Sequence, residues 1–277
     1  MQRPVTPPRA VGVFDSGLGG LTVVKQLLRL APRENIIYFG DTARVPYGNR
    51  SPEAITRYAG QAIAFLLSFD VKFLIDACGT MSSILYPQFT DRLPVCYIDV
   101  IDASAKAAVA ATKNGRVGVI ATAATVATQS FCNAINRFAP GVSTFSAACP
   151  LFVPLVENGY IEKDNEVTRL VAEKYLAGMK NSGVDTLILG CTHYPLIAEL
   201  IADVMGDGVT LVDSGLETAK KALNRLEPND SDEKGRLELF TSDCPLGFTE
   251  IAELFLEREL ENVSQIDIDS VLPFTIS

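Results

Sequence analysis

The sequence has no tryptophan and a single histidine, so any imidazole chemistry in its 277 residues runs through His193. Its six cysteines are Cys78, Cys96, Cys132, Cys149, Cys191 and Cys244, and no two of them have C-x-x-C spacing. That argues against a zinc knuckle or a thioredoxin-type motif. A metal site could draw only on Cys78, Cys191 and His193, with no close ligand pair, and none is expected. The longest strongly apolar stretch, around Ala62 to Phe69, falls far short of the roughly 20 residues that span a bilayer. Positive charge is scarce: 24 Lys and Arg against 33 Asp and Glu leave a net charge of −9. A phosphate-backbone binder needs a basic stripe, so neither nucleic acid nor membrane is an expected partner. There is no Walker loop and no lysine marked out for a Schiff base, so no cofactor is expected. Met1 to Arg9 lacks the apolar region of a secretory signal. The expectation is a cytoplasmic protein with reduced thiols.

Apolar residues make up 48% of the chain and charged residues 21%. That composition excludes a disordered chain and supplies a core for one large domain or two small ones. Strand-length apolar runs alternate with helix-length amphipathic stretches. Strands are predicted at Val11–Phe14, Ile36–Phe39, Phe73–Ile75 and Pro94–Ile98, with helices after Gly20, from Ser51 to about Phe69, and over about Ala103 to Thr112. At Ser51-Pro52-Glu53 a capping serine, a first-turn proline and an acid mark a helix start. The β-α-β-α-β order predicts parallel sheets covered by helices on both faces. Ligands in such sheets bind beyond the carboxyl ends of the strands.

The pattern occurs twice. Val11-Gly12-Val13 returns 106 residues later as Val117-Gly118-Val119, and Val71–Cys78 (VKFLIDAC) returns 113 residues later as Val184–Cys191 (VDTLILGC). Each copy delivers a cysteine from the end of a strand, with a threonine close behind. A divergent duplication predicts two pseudosymmetric doubly wound α/β domains, with the active site in the cleft between them. The expected division is 1–100 with 215–277, and 101–214. The tail, with a strand at Leu237–Phe240 and a helix from about Thr249 to Leu260, exceeds a second copy and is assigned to the first domain; Pro228–Gly235 reads as a polar loop.

Two thiols facing one carbon from opposite sides suit proton removal on one face and return on the other. Strand-end positions that open a helix would favour the thiolate of Cys78 and Cys191; the bland alternative is that each cysteine only packs. The turn Asp15-Ser16-Gly17-Leu18-Gly19-Gly20 could cradle an anion or be a tight βα turn and nothing more. It is not a dinucleotide fingerprint, because Thr22 stands where the third glycine is required, although Asp41 falls where a ribose-binding acid would. His193, two residues beyond Cys191, could polarise that thiol.

These residues fall in segments that resemble bacterial glutamate racemases: Val13–Thr22 (VFDSGLGGLT), Tyr38–Gly48 (YFGDTARVPYG), Cys149–Glu157 (CPLFVPLVE) and Leu187–Leu196 (LILGCTHYPL). The resemblance runs from about Val11 to Gly215. It implies a cofactor-independent, cytoplasmic homodimer that makes D-glutamate for peptidoglycan. It implies that Cys78 serves the D-enantiomer and Cys191 the L-enantiomer, with Asp15 supporting Cys78, and His193 and Glu157 supporting the other side. Substrate contacts would come from Asp15, Ser16, Tyr47, Gly48, Thr80, Thr122 and Thr192, and from the backbone at Gly79.

One motif departs. The family pattern Ala-Cys-Asn-Thr-Ala is here Ala77-Cys78-Gly79-Thr80-Met81, preceded by Asp76 where the family usually carries an aliphatic residue. Gly79 removes a side-chain hydrogen bond to substrate, worth roughly 1.5–3 kcal/mol when one partner is charged, and could leave room for a water instead. Asp76, if buried, would oppose the Cys78 thiolate. The alternatives are therefore a racemase of aspartate or another amino acid, or a glutamate-binding descendant impaired in catalysis.

Overall fold

Along the first three strands, alternate residues enter different cores. Val11 and Val13 pack with the helix that follows them, while Ala10 and Phe14 pack with the next helix on the opposite face. Burial on both faces is what makes these strands continuous apolar runs. The structure, a computed structural model, describes residues 9–85, 92–226, 233–260 and 262–274. Residues 1–8 of the N-terminal stretch and 228–232 of the polar loop lie outside the described residues.

In chain order the first part comprises β1 (Ala10–Asp15), α1 (Leu21–Leu30), β2 (Ile36–Gly40), α2 (Pro52–Leu67), β3 (Val71–Asp76), α3 (Gly79–Leu85), β4 (Cys96–Asp99) and α4 (Val100–Ala111). There follow β5 (Arg116–Ala121), α5 (Ala123–Ala127), α6 (Ser130–Phe138), β6 (Ser143–Ala148), α7 (Phe152–Glu157) and α8 (Glu166–Asn181). The chain ends with β7 (Thr186–Leu189), α9 (Ala198–Met205), β8 (Thr210–Asp213), α10 (Ser214–Leu223), β9 (Leu237–Thr241), α11 (Pro245–Leu256) and β10 (Val263–Gln265). Two sheets form, both parallel: β10-β9-β2-β1-β3-β4 and β6-β5-β7-β8. The four strands β2-β1-β3-β4 and the four strands β6-β5-β7-β8 follow one plan, first strand inside, second outside it, third and fourth on the other flank.

The duplication extends to single contacts. A Cβ on Gly12 would meet Leu74 at 2.8 Å and Val71 at 3.3 Å; one on Gly118 would meet Leu187 at 2.8 Å and Val184 at 3.5 Å. The same glycine thus makes room for the same pair of side chains in each sheet. The helices that follow the fourth strands are capped alike. Asp99 Oδ1 accepts from the Ile101 and Asp102 amides, and Asp213 Oδ1 from those of Gly215 and Leu216.

Sequence periodicity misplaces two helix starts. The helix expected from about Ala103 begins at Val100, because Asp99 caps it there. The helix expected over about Thr249–Leu260 spans Pro245–Leu256: Pro245 fixes its first turn, and Glu257, at φ 52°, ends it. Among the described residues no helix is long and apolar enough to cross a membrane.

Candidate active site

β3 and β7 are equivalent strands, and each delivers its cysteine two residues beyond its last residue. Cys78 and Cys191, 5% and 7% exposed, stand in the wall of one cavity of about 420 Å³. The first half also contributes Ser16, Tyr47, Gly48, Gly79 and Thr80 to that wall, and the second half Thr122, Thr192, His193 and Glu157. Every site residue picked out in the sequence therefore reaches the cavity except Asp15. That residue is 1% exposed and outside the lining.

Asp15 closes β1. Its Oδ2 accepts from the Gly17 amide at 2.9 Å, and its Oδ1 is buried with no hydrogen-bond partner among the described residues. Burial raises its proton affinity, offset in part by the charge of His193 and the amides of Gly17, Gly20 and Ser16. The glycine turn serves close packing: a Cβ on Gly19 would run into the Thr192 hydroxyl and the His193 ring, across the cleft. Cys78 donates to Ser16 Oγ at 3.3 Å. Burial, then the charges of Asp15 and Asp76, push its thiol up.

The second half-site is electrostatically different. His193 Nε2 is 2.9 Å from Glu157 Oε1, and Nδ1 is 3.8 Å from Cys191 Sγ. Burial pulls the imidazole down, but its bonds to Cys191 and Glu157 and their charges push it up to about 10. An imidazolium therefore stands beside the sulfur at neutral pH. The helix start expected at Cys191 is absent. A turn from Cys191 O to Tyr194 N and a 3₁₀ segment, Tyr194–Ile197, intervene before α9. His193, not a helix terminus, supplies the positive group there.

A threonine cluster joins the halves. Thr80 Oγ1 lies 3.1 Å from Thr122 Oγ1 and 3.4 Å from Thr125 Oγ1. Asp41 is engaged within the protein. It accepts from Tyr47 at 2.5 Å, Ser242 at 2.7 Å and Arg44 at 3.2 Å, and so anchors the loop that carries Tyr47 into the wall.

The departure at the first cysteine has a structural setting. A Cβ on Gly79 would stand 2.6 Å from Gly190 O, so the backbone of the other cysteine-bearing turn closes on this glycine, which itself lines the cavity. Asp76 is fully buried, accepting from the Cys78 amide at 3.0 Å and from Tyr97 at 2.7 Å. Sequence reasoning missed Tyr97, Thr125 and the apolar wall of Val45, Pro46, Val153 and Pro154. The wall residues stand inside the quoted motifs, but Val45 and Pro46 in a loop and Val153 and Pro154 in the six-residue α7 make runs too short to give a periodic signal. Among the described residues no group of three or more His, Cys, Asp and Glu side chains is placed to hold a metal ion.

A profile of the Asp/Glu/Hydantoin racemase family matches residues 11–222. The chain belongs to this family. Among Asp/Glu/Hydantoin racemases, it is 46% identical to the glutamate racemase of Syntrophus aciditrophicus over 262 residues, 93% of this chain and 96% of that one. It is 44% identical to the glutamate racemase of Geobacter metallireducens over 268 residues, 95% and 98% of the two chains. The crystal structure of glutamate racemase from Francisella tularensis in complex with D-glutamate superposes with a TM-score of 0.87 at 37% identity, covering 95% of this chain and 98% of that one.

Proposed function

We propose that this family member interconverts L- and D-glutamate without a cofactor, by proton transfer at Cα between two thiols. The reading is carried by one observation: Cys78 and Cys191 occupy equivalent strand ends of a duplicated topology and line a single cavity. From L-glutamate, the Cys191 thiolate takes the Cα proton and becomes a thiol. Cys78 gives its proton to the opposite face of the carbon and becomes a thiolate. From D-glutamate the roles reverse. His193, linked to Glu157, places a donor beside Cys191, and Asp15 supports the Cys78 side. Ser16, Tyr47, Gly48, the Gly79 backbone, Thr80, Thr122 and Thr192 offer polar groups to the carboxylates and ammonium of the substrate. The apolar wall of Val153 and Pro154 excludes water, which strengthens every charge interaction in the cavity.

In this reading the working units are 1–100 with 215–277, and 101–214. Sheet membership supports it, since β9 and β10 extend the first sheet. The enzyme acts as a cytoplasmic homodimer that supplies D-glutamate for peptidoglycan; light scattering of the purified protein tests the dimer. The activity is tested by circular dichroism of a glutamate solution. The L-glutamate signal should decay to zero with the wild type and persist with Cys78→Ala or Cys191→Ala. A signal that persists with the wild type, or aspartate consumed in preference, contradicts the reading.

A further inference from the structure

The two half-sites follow one plan and differ at a buried charge. Asp76 ends β3 where Leu189 ends β7, two residues before the respective cysteines. Asp76 Oδ1 holds the Cys78 backbone N–H and Oδ2 the Tyr97 hydroxyl, so the carboxyl is locked against the turn that carries the thiol. The titratable groups around Cys78 are Asp15 from β1, Tyr38 from β2, Tyr47 from the following loop, Asp76 from β3 and Tyr97 from β4. None of them is a cation. Arg44, whose charge reaches Tyr47, is engaged by Asp41, Gln61 and Asp269. From the other half, the His193 charge reaches Asp15. Buried acids so close compete for one negative charge. Around Cys191 the balance is opposite, because His193 stands 3.8 Å from its sulfur.

We propose that Asp76, braced by Tyr97, sets the resting direction of the thiol pair: it keeps the proton on Cys78, so that the free enzyme waits with Cys191 as the base. The inference rests on the racemase reading above. One proton is shared between two sulfurs. L-glutamate meets the ready form, Cys191 S⁻ accepts the Cα proton, and Cys78 S–H donates its own. The enzyme is then left as Cys78 S⁻ and Cys191 S–H, and exchange with water resets it. L- and D-glutamate have equal free energies, so kcat/KM must be equal in the two directions. The bias therefore falls on kcat and KM separately. Asp76 is a positioning residue, acting through Cys78.

The test is alkylation by iodoacetamide at mildly alkaline pH, with Cys78 and Cys191 peptides followed by mass spectrometry. The two thiols are 5% and 7% exposed, so the reagent meets similar barriers at both. The wild type should label Cys191 first. Asp76→Leu installs the residue of the other half; Asp76→Asn keeps the shape and an acceptor for the Cys78 amide, and decides the matter if the leucine variant fails to fold. Both should speed Cys78 labelling relative to Cys191 by about tenfold, the effect of one pKa unit. Both should also bring the KM values for the two enantiomers closer together. Cys78 labelled first in the wild type, or a ratio unmoved in Asp76→Asn, overturns the proposal. A wild type that labels Cys191 first yet never interconverts glutamate would instead sink the racemase reading.

Discussion

A Cβ on Gly79 would stand 2.6 Å from the carbonyl oxygen of Gly190, the residue before Cys191. Gly190 is itself confined, since a Cβ there would lie 2.9 Å from both Ile120 O and the Phe131 ring. The contact is backbone on one side and a cysteine-bearing turn on the other, so no rotamer change relieves it. Restoring the family asparagine should therefore impair this protein. Gly79→Ala and Gly79→Asn are expected to lower kcat by about 10- to 100-fold, since a displacement near 1 Å of a reacting group has that effect. Thermal unfolding should show a loss of stability as well, by the roughly 1–3 kcal/mol that overpacking costs. An asparagine variant as fast as the wild type would show that the two turns can part freely.

Cys191 and Glu157 together hold the charge on His193. A group raised in the folded state from 6.5 to about 10 adds stability that is complete below pH 6.5 and lost as pH rises through about 10. Glu157→Gln removes one of the two raising partners. The thermal stability of the wild type should fall between neutral pH and pH 10 more steeply than that of Glu157→Gln. The alkaline limb of kcat should shift to lower pH in the variant. Superimposable curves would remove the His193–Glu157 pair from the account.

Asp41 is 1% exposed and gathers Tyr47, Arg44 and Ser242. Asp41→Ala leaves Arg44 buried against an apolar methyl, although Gln61 and Asp269 still hold it. Denaturant unfolding should show a loss of about 3 kcal/mol, the lower end for a broken buried pair. Tyr47→Phe deletes one hydrogen bond to a carboxylate, worth roughly 1.5–3 kcal/mol, and should raise KM by altering the cavity wall.

The duplication predicts matched effects from matched mutations. Gly12→Ala and Gly118→Ala each press a methyl onto a leucine tip at 2.8 Å. Each should destabilise by about 1–3 kcal/mol, the usual penalty of overpacking. A large difference between them, measured by urea unfolding, would show that the two cores are not equivalent.

The features legible in the sequence were the periodic and the repeated ones. Val11-Gly12-Val13 reads as a strand with Val117-Gly118-Val119 as its repeat, and the two segments lie in β1 and β5. The repeated strand ends marked Cys78 and Cys191. Contacts between remote segments left no local trace. Nothing near Tyr97 shows that its hydroxyl reaches Asp76, and nothing near Gly79 shows that Gly190 closes on it. Spacing alone made Cys191 a helix start, but local turn geometry placed a 3₁₀ segment after it. Asp41 resembled a ribose ligand by position, and only its three partners show it to be an anchor for Tyr47.

The central claim is that two thiols address one Cα from opposite faces. Its most direct test is deuterium incorporation at Cα in D₂O, followed by NMR, starting separately from L-glutamate and from D-glutamate. The account predicts that each enantiomer gives the other, with deuterium at Cα of the inverted product. Exchange from neither enantiomer, with glutamate still bound, would contradict it.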